Sequence, residues 1–380
     1  MEQIIEYRST FDANSGQHNW TSRPYSLCLI LVLLTGLLPV ANAQKIAFNE
    51  PDVLGPDVYV INSDGTGLHR LPISPESMTG ADQPVWSRNG RALAVTGAVA
   101  DPNNIIQMDT NTLAIYNLTT GRLLVPIGSN APVSPYYIYK AFSPDGTKMA
   151  WASLQLDYVD FGVMSLTGTP QSFPQIPGLA ILPNPAGFSL GSRDNTQGLS
   201  GFGLDWSPVN SSLLAASSTA LSYDCNVGGT VVPASVTKIF LLQPTPGGLN
   251  KGVALSRPLQ PCLTQVYDLF PAFSPDGTKV VYVRIVQDQS QLYGTPTTAS
   301  IRVINTNGTT DHNVASFPEE FLADLSWSPD GSKLIFDRTP LLDGVPLPGQ
   351  GNGIWTINPD GSSLREVLNS PASKPSWSLH

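Results

Sequence analysis

Charged side chains are scarce in this chain. Lys, Arg, Asp and Glu supply 13 % of its 380 residues, roughly half of the ~25 % that is typical of soluble domains. The formal net charge is −9 and the 20 basic residues form no cluster, so the composition lacks the basic surface that nucleic-acid binding needs. Hydrophobic residues still supply 41 % of the chain, which is enough for a packed core.

Histidine and cysteine are also few. The chain has 4 His and 3 Cys, and no group of them has the spacing of a zinc site. Beyond residue 43 the histidines are His69, His312 and His380, for which we expect surface positions. No phosphate-cradling glycine loop precedes a helical pattern. The sequence therefore predicts no metal, no cofactor and no catalytic residue.

Only one long apolar run is present, over residues 25–40. It is shorter than the ~20 residues of a membrane-spanning helix, and Arg23 precedes it while Ala41-Asn-Ala43 follows. This pattern predicts that residues 1–43 are an export signal cleaved before Gln44. The long polar segment ahead of the run leaves an uncleaved anchor, and with it membrane attachment, as the alternative.

Export places the remaining two cysteines, Cys225 and Cys262, in the periplasm or outside the cell. An oxidising compartment favours one disulfide between them. Two unpaired thiols are the alternative.

Glycine and proline are plentiful, with 33 and 34 residues, and they punctuate a repeat. Its clearest copies are Phe142-Ser-Pro-Asp-Gly-Thr-Lys148, Phe273-Ser-Pro-Asp-Gly-Thr-Lys279 and Trp327-Ser-Pro-Asp-Gly-Ser-Lys333. In each copy a short strand ends at the aromatic residue, an Asp-Gly turn follows because Gly accepts positive φ, and a second strand begins. β-branched and aromatic segments then predict a third and a fourth strand. We expect the repeat aromatics to pack between neighbouring units; they are Trp86, Phe142, Trp206, Phe273, Trp327 and Trp377.

The two ends of residues 44–380 each carry half of a unit. Lys45-Ile-Ala-Phe48 resembles a second strand without its first, and Pro375-Ser-Trp-Ser378 resembles a first strand without its second. Joined, they complete one unit and close a ring, which removes the exposed edge of a linear array. The sequence therefore predicts an all-β fold, a six-bladed β-propeller of four-stranded antiparallel blades.

The repeated phrase resembles that of the TolB-like propeller family, a relative of WD-repeat propellers, over nearly all of residues 45–380. Complete TolB carries an N-terminal domain that we do not expect here, so the resemblance implies the propeller module rather than the whole protein's role in the envelope.

Strand order predicts two unlike faces. The tight Asp-Gly turns fall on one face, and the long connections fall on the other at 97–111, 175–201, 218–236, 257–267, 286–299 and 338–352. Long loops on a rigid scaffold are where binding is usually found. We therefore expect an exported, non-enzymatic scaffold that binds an envelope or extracellular protein, a peptide or a glycan through the long-loop face.

Four carboxylates stand within or just ahead of first strands, which line a propeller's channel: Asp82, Asp205, Asp268 and Asp324. At a channel mouth they are candidates to hold a cationic group. They are also the candidate acids and bases of the rival function, a carbohydrate-active hydrolase or lyase. Ordinary solvated or structural roles are the alternative. The segment Gly187-Phe-Ser-Leu-Gly191 matches a nucleophile motif but lacks the strand-to-helix context that this chemistry requires.

Overall fold

The structure is a computed structural model. It describes residues 44–378 except 53–54, 74–77, 100–111, 128–136, 155–158, 173–177, 184–188, 191–202, 228, 246–247, 258–263, 289–296, 343–344 and 347–352. The described residues form strands and turns and contain no helix, as the all-β prediction requires. None of them lies in a helix with the length and apolarity that a membrane span demands.

The first half of the chain contains β1 (Lys45–Asp52), β2 (Gly55–Asn62), β3 (His69–Arg70), β4 (Met78–Trp86), β5 (Ala92–Val99), β6 (Thr112–Asn117), β7 (Arg122–Ile127), β8 (Tyr137–Phe142), β9 (Lys148–Leu154), β10 (Val159–Ser165), β11 (Gln171–Ser172), β12 (Leu179–Pro183), β13 (Ser189–Leu190) and β14 (Leu204–Trp206). The second half contains β15 (Leu214–Val227), β16 (Thr230–Thr245), β17 (Gly248–Ala254), β18 (Thr264–Phe273), β19 (Lys279–Asp288), β20 (Thr297–Asn305), β21 (His312–Pro318), β22 (Glu320–Trp327), β23 (Leu334–Leu342), β24 (Val345–Pro346), β25 (Gly353–Ile357), β26 (Arg365–Leu368) and β27 (Ser373–Trp377).

The two ends of the described chain share one sheet, as predicted. Its order is β27-β1-β2-β3, and Ile46 lies opposite Trp377 in an antiparallel ladder. Ile46, Phe48 and Trp377 are buried in one apolar cluster. The pairing therefore buries side chains from both ends together and covers a strand edge that would otherwise be exposed.

The arrangement is propeller-like, but its hydrogen-bonded sheets do not number six. The other sheets have the orders β13-β10-β9-β8, β11-β12-β7-β6-β5-β4, β14-β15-β16-β18-β19-β20-β21 with β17 on β16, and β22-β23-β25-β26 with β24 on β23. In the eight-stranded sheet, two antiparallel sets are joined by a short parallel contact between β16 and β18, where Val236 lies opposite Val266. Such contacts between successive sets cannot be read from the repeat itself.

The repeated Ser-Pro-Asp-Gly phrase forms the same turn each time. In the first copy Ser143 Oγ donates to Asp145 Oδ1 at 2.6 Å and accepts from the Lys148 backbone N–H at 2.9 Å. Gly146 has φ 68°, in the left-handed region that glycine tolerates. The hydrogen bonds from Ser143 and Thr147 hold the pKa of Asp145 down, at about 2. Local turn chemistry therefore accounts for the phrase.

Six strands end on the repeat aromatics, and we call β4, β8, β14, β18, β22 and β27 the inner strands. All six aromatic side chains are buried. Two of them hydrogen-bond to the preceding inner strand: Trp327 Nε1 donates to the Ala272 carbonyl and Trp86 Nε1 to the Ser376 carbonyl, both at 3.1 Å. These bonds fix β22 to β18 and β4 to β27, next to the site described below.

Candidate functional site

The inner strands share an unusual backbone position three residues before the aromatic. Five of the six residues there have left-handed φ angles between 51° and 109°: Gln83, Gly203, Phe270, Asp324 and Lys374. The ladder register also shifts next to this position in β4, β18 and β22. A bulge of this kind re-aims a side chain, and left-handed non-glycine residues are strained by about 1–3 kcal/mol each. We call these five residues, with Tyr139 at the same position in β8, the inner ring.

The inner ring bounds a cavity of about 150 Å³ to which all six inner strands contribute. Its walls run from the inner ring to the repeat aromatics, and Arg88 and Pro275, from the turns after β4 and β18, line the end nearest the Asp-Gly turns. A volume of this size is roughly ten times the ~10–15 Å³ that a single water molecule needs. The cavity therefore has room for a small molecule.

Aromatic side chains form part of the inner ring itself. Tyr139 and Phe270 meet edge-on with ring centroids 6.2 Å apart, and Phe270 meets Phe321 at the same separation. Gly203 makes this packing possible, since a Cβ atom on it would lie 2.5 Å from the Phe270 Cα. The backbone immediately before β14 thus approaches β18 at a distance that only glycine allows.

Asp82, the first of the four predicted carboxylates, lies one residue before the inner ring and is paired. Lys374 Nζ donates to its Oδ2 at 2.6 Å, and the backbone N–H of Gln83 donates to its Oδ1 at 2.8 Å. The ion pair joins β4 to β27, across 292 positions of the chain.

Asp205 lines the cavity but is engaged in backbone hydrogen bonds. The N–H groups of Trp206 and Phe273 each donate to its carboxylate at 2.8 Å, and Arg88 Nη2 lies 3.6 Å away. Burial raises the pKa of this carboxyl, and Arg88 opposes the rise. Asp205 therefore links β14 to β18.

Asp268 is fully buried, with 0 % exposure, and belongs to an ion pair within one blade. Arg284 donates to it through Nε at 2.7 Å and Nη2 at 2.9 Å. Burial raises the pKa of Asp268, and the hydrogen bond from Arg284 opposes it. A paired, enclosed carboxylate of this kind is not available to a ligand.

Asp324 differs from the other three. It belongs to the inner ring, lines the cavity, and makes no side-chain hydrogen bond or ion pair with the described part of the chain. Burial raises its pKa, and the neighbouring Asp337 raises it further. Asp337, whose pKa burial also raises, accepts a hydrogen bond from the Lys374 backbone N–H at 3.3 Å. The structure therefore brings one of the four predicted carboxylates to the cavity in an unpaired state.

Sequence reasoning missed a lysine at this site. Lys140 lines the cavity, is 3 % exposed, and its Nζ atom has no hydrogen-bond partner among the described residues. Burial lowers its pKa to about 7; Asp82 and Asp324 oppose the shift, and Lys374 adds to it. The available signal was its position two residues before the repeat aromatic, where the other inner strands carry Pro84, Leu204, Pro271, Leu325 and Pro375.

Several predicted features fall outside the described residues. These are the export signal at 1–43, Cys262, and all but Ser189 and Leu190 of the Gly187–Gly191 segment. Cys225 lies in β15, so its disulfide with Cys262 stays a prediction. Among the described residues no group of three His, Cys, Asp or Glu could hold a metal ion.

Comparison with known proteins finds similarity in structure alone. No family model matches the chain, and no curated protein sequence matches it. TolB from Acinetobacter baumannii superposes with a TM-score of 0.57 and 14 % identity, covering 92 % of this chain and 70 % of that one. A chain of the Nidogen/Laminin complex superposes with a TM-score of 0.52 and 11 % identity, covering 88 % and 98 %. At these identities the likeness shows the fold alone, and it supports a TolB-like propeller fold.

Proposed function

We propose that this protein is exported and acts as a binding scaffold built on a six-bladed propeller. Six four-stranded sets support the blade count: β27-β1-β2-β3, β4-β5-β6-β7, β8-β9-β10-β13, β14-β15-β16-β17, β18-β19-β20-β21 and β22-β23-β25-β26. The partner is an envelope or extracellular macromolecule, which binds at the long-loop face, opposite the Asp-Gly turns.

The observation that carries the proposal is the hairpin of β15 and β16. Its strands have 14 and 16 residues, more than twice the usual strand length of about 5–6. Among the described residues, the first strand pairs only with the second from Thr219 to Val227, a stretch of about 30 Å at ~3.3 Å per residue. Because the hairpin joins a second strand to a third, it stands on the long-loop face. Near its tip Val231 is 60 % exposed, which suits a contact with another molecule.

Binding is favoured over carbohydrate hydrolysis or elimination by the state of the carboxylates. Such chemistry canonically needs two carboxyl groups that both reach one substrate. Asp82 and Asp268 are held in ion pairs, and Asp205 accepts two backbone hydrogen bonds. Of the four, only Asp324 has no hydrogen-bond or ion-pair partner within the described part of the chain, so the other three are already used to join strands.

The test is capture of partners by the exported protein from envelope and extracellular fractions of its own cells. We compare Val231→Asp with a matched control, Val209→Asp, because Val209 is 65 % exposed but lies on an Asp-Gly-side turn. We expect Val231→Asp to lose the partner and Val209→Asp to retain it. The opposite result would move the binding surface to the Asp-Gly face.

Two further measurements complete the test. Fractionation and N-terminal sequencing of the mature protein should place it outside the cytoplasm with Gln44 as its first residue. If the protein acts on any of a panel of polysaccharides and Asp324→Asn abolishes that activity, the enzyme function would replace the scaffold function.

A further inference from the structure

We propose that the cavity at the inner ring is a second binding site, for a small neutral polyhydroxylated ligand of monosaccharide size, recognised by Lys140 and Asp324. This site is separate from the hairpin surface, because the cavity extends from the inner ring towards the Asp-Gly turns. The proposal does not depend on the partner suggested above.

The site contains polar groups that have no partner among the described residues. Lys140 Nζ and Gln83 Oε1 are buried and make no hydrogen bond with the described residues, and Asp324 likewise makes none. A buried donor or acceptor that has lost its water destabilises the folded state unless something satisfies it. All three residues line the same cavity, so a ligand bound there would lie beside all three.

The unsatisfied polar groups indicate which kind of ligand would bind. Lys140 needs an acceptor, Gln83 Oε1 needs a donor, and Asp324 can interact with either, according to its protonation. A hydroxyl group both donates and accepts, so neighbouring hydroxyls on one small molecule match this mixed set. Tyr139 and Phe270 also line the cavity, and apolar lining of this kind suits the C–H side of a sugar ring.

The charged groups around the cavity favour a neutral ligand. The groups around the cavity have both signs, with Lys140 and Lys374 facing Asp82, Asp324 and Asp337. Burial lowers the pKa of Lys140 and raises the pKa of both Asp324 and Asp337, so each shift favours the uncharged form. A neutral ligand suits such a site, because an ion would lose its hydration there without meeting a net opposite charge.

The test is ligand-observed NMR and calorimetry on the exported protein. The probes are D-glucose, D-galactose and D-xylose, with D-galacturonate and D-glucosamine as charged counterparts. For ligands of this size we expect at least one neutral sugar to bind with a Kd on the order of 1 mM, and the charged counterparts to bind more weakly. Absence of binding by every neutral probe, or tighter binding of a charged one, would overturn the proposal.

The variants are Lys140→Leu and Asp324→Asn. Leucine is the residue at the equivalent position of two other inner strands, Leu204 and Leu325, and asparagine keeps the shape of the aspartate side chain. We expect Lys140→Leu to weaken binding at least about tenfold and Asp324→Asn about threefold or more. The matched control Lys279→Leu removes an exposed lysine and should leave the Kd unchanged. An unchanged Kd in both Lys140→Leu and Asp324→Asn would place the sugar elsewhere and refute the assignment.

Discussion

Replacing Lys140 with leucine should make the free protein more stable. The side chain is 3 % exposed, and its Nζ atom has no partner among the described residues. Burial lowers its pKa from about 10.5 to about 7, and at ~1.4 kcal/mol per pH unit this interval corresponds to about 5 kcal/mol of destabilisation. Relaxation and water penetration reduce that figure, so we expect a measured gain of about 1–4 kcal/mol at pH 7, as when buried charges are replaced by apolar residues.

The same substitution should remove a pH dependence. Because the pKa of Lys140 is lower in the folded state, the unfolded chain binds more protons between about pH 7 and 10.5. The free energy of unfolding of the parent therefore rises across that window, while the full destabilisation is present below pH 7. In Lys140→Leu this rise should be absent. Asp324 and Asp337 contribute with the opposite sign, since their raised pKa values make stability fall as pH rises from about 4 through those values.

The assay is urea unfolding followed by tryptophan fluorescence at pH 7 and pH 10, with Lys279→Leu as the exposed-lysine control. The reasoning is refuted if Lys140→Leu is less stable than the parent at pH 7, or if it keeps the parent's gain in stability between the two pH values.

Three shorter predictions concern other parts of the fold. Trp327→Ala should lower the free energy of unfolding by about 3–5 kcal/mol, because it leaves a cavity between inner strands; an unchanged melting temperature would contradict this. Gly203→Ala should destabilise by about 2 kcal/mol or more, because its φ is 109° and the new Cβ would lie 2.5 Å from the Phe270 Cα; equal denaturant midpoints would refute it. Alkylation of the exported protein, with and without reductant, should label Cys225 and Cys262 only after reduction; labelling before reduction would show free thiols.

Local chemistry explains which parts of the fold the sequence predicted. The Ser-Pro-Asp-Gly turn depends on residues within five positions of one another, such as Ser143 and Lys148, so the phrase alone determines its geometry. The pairing of the chain ends followed from completing the repeat. The joining of two blades into one sheet did not follow from the repeat. The contact of Val236 with Val266 depends on how far β16 extends beyond its own set of strands.

The candidate site was only partly predictable, because the bonds of its side chains are long-range. Asp268 meets Arg284 through the register of β18 on β19, and Asp82 meets Lys374 across 292 positions of the chain. An acidic residue near a first strand was visible in the sequence. The sequence did not show whether a Lys or Arg side chain already neutralises that acidic residue.

Position in the repeat, rather than residue type, decides what each carboxylate does. Asp268 lies five residues before its aromatic, Asp82 four, Asp324 three and Asp205 one. Only the third position before the aromatic combines a left-handed backbone with a place in the inner ring, and the carboxylate found there is the unpaired one. The residues at that position differ from strand to strand, while the same Ser-Pro-Asp-Gly turn follows β8, β18 and β22. A repeat that keeps its turn and varies its inner ring can change what the cavity binds without changing the fold that holds it.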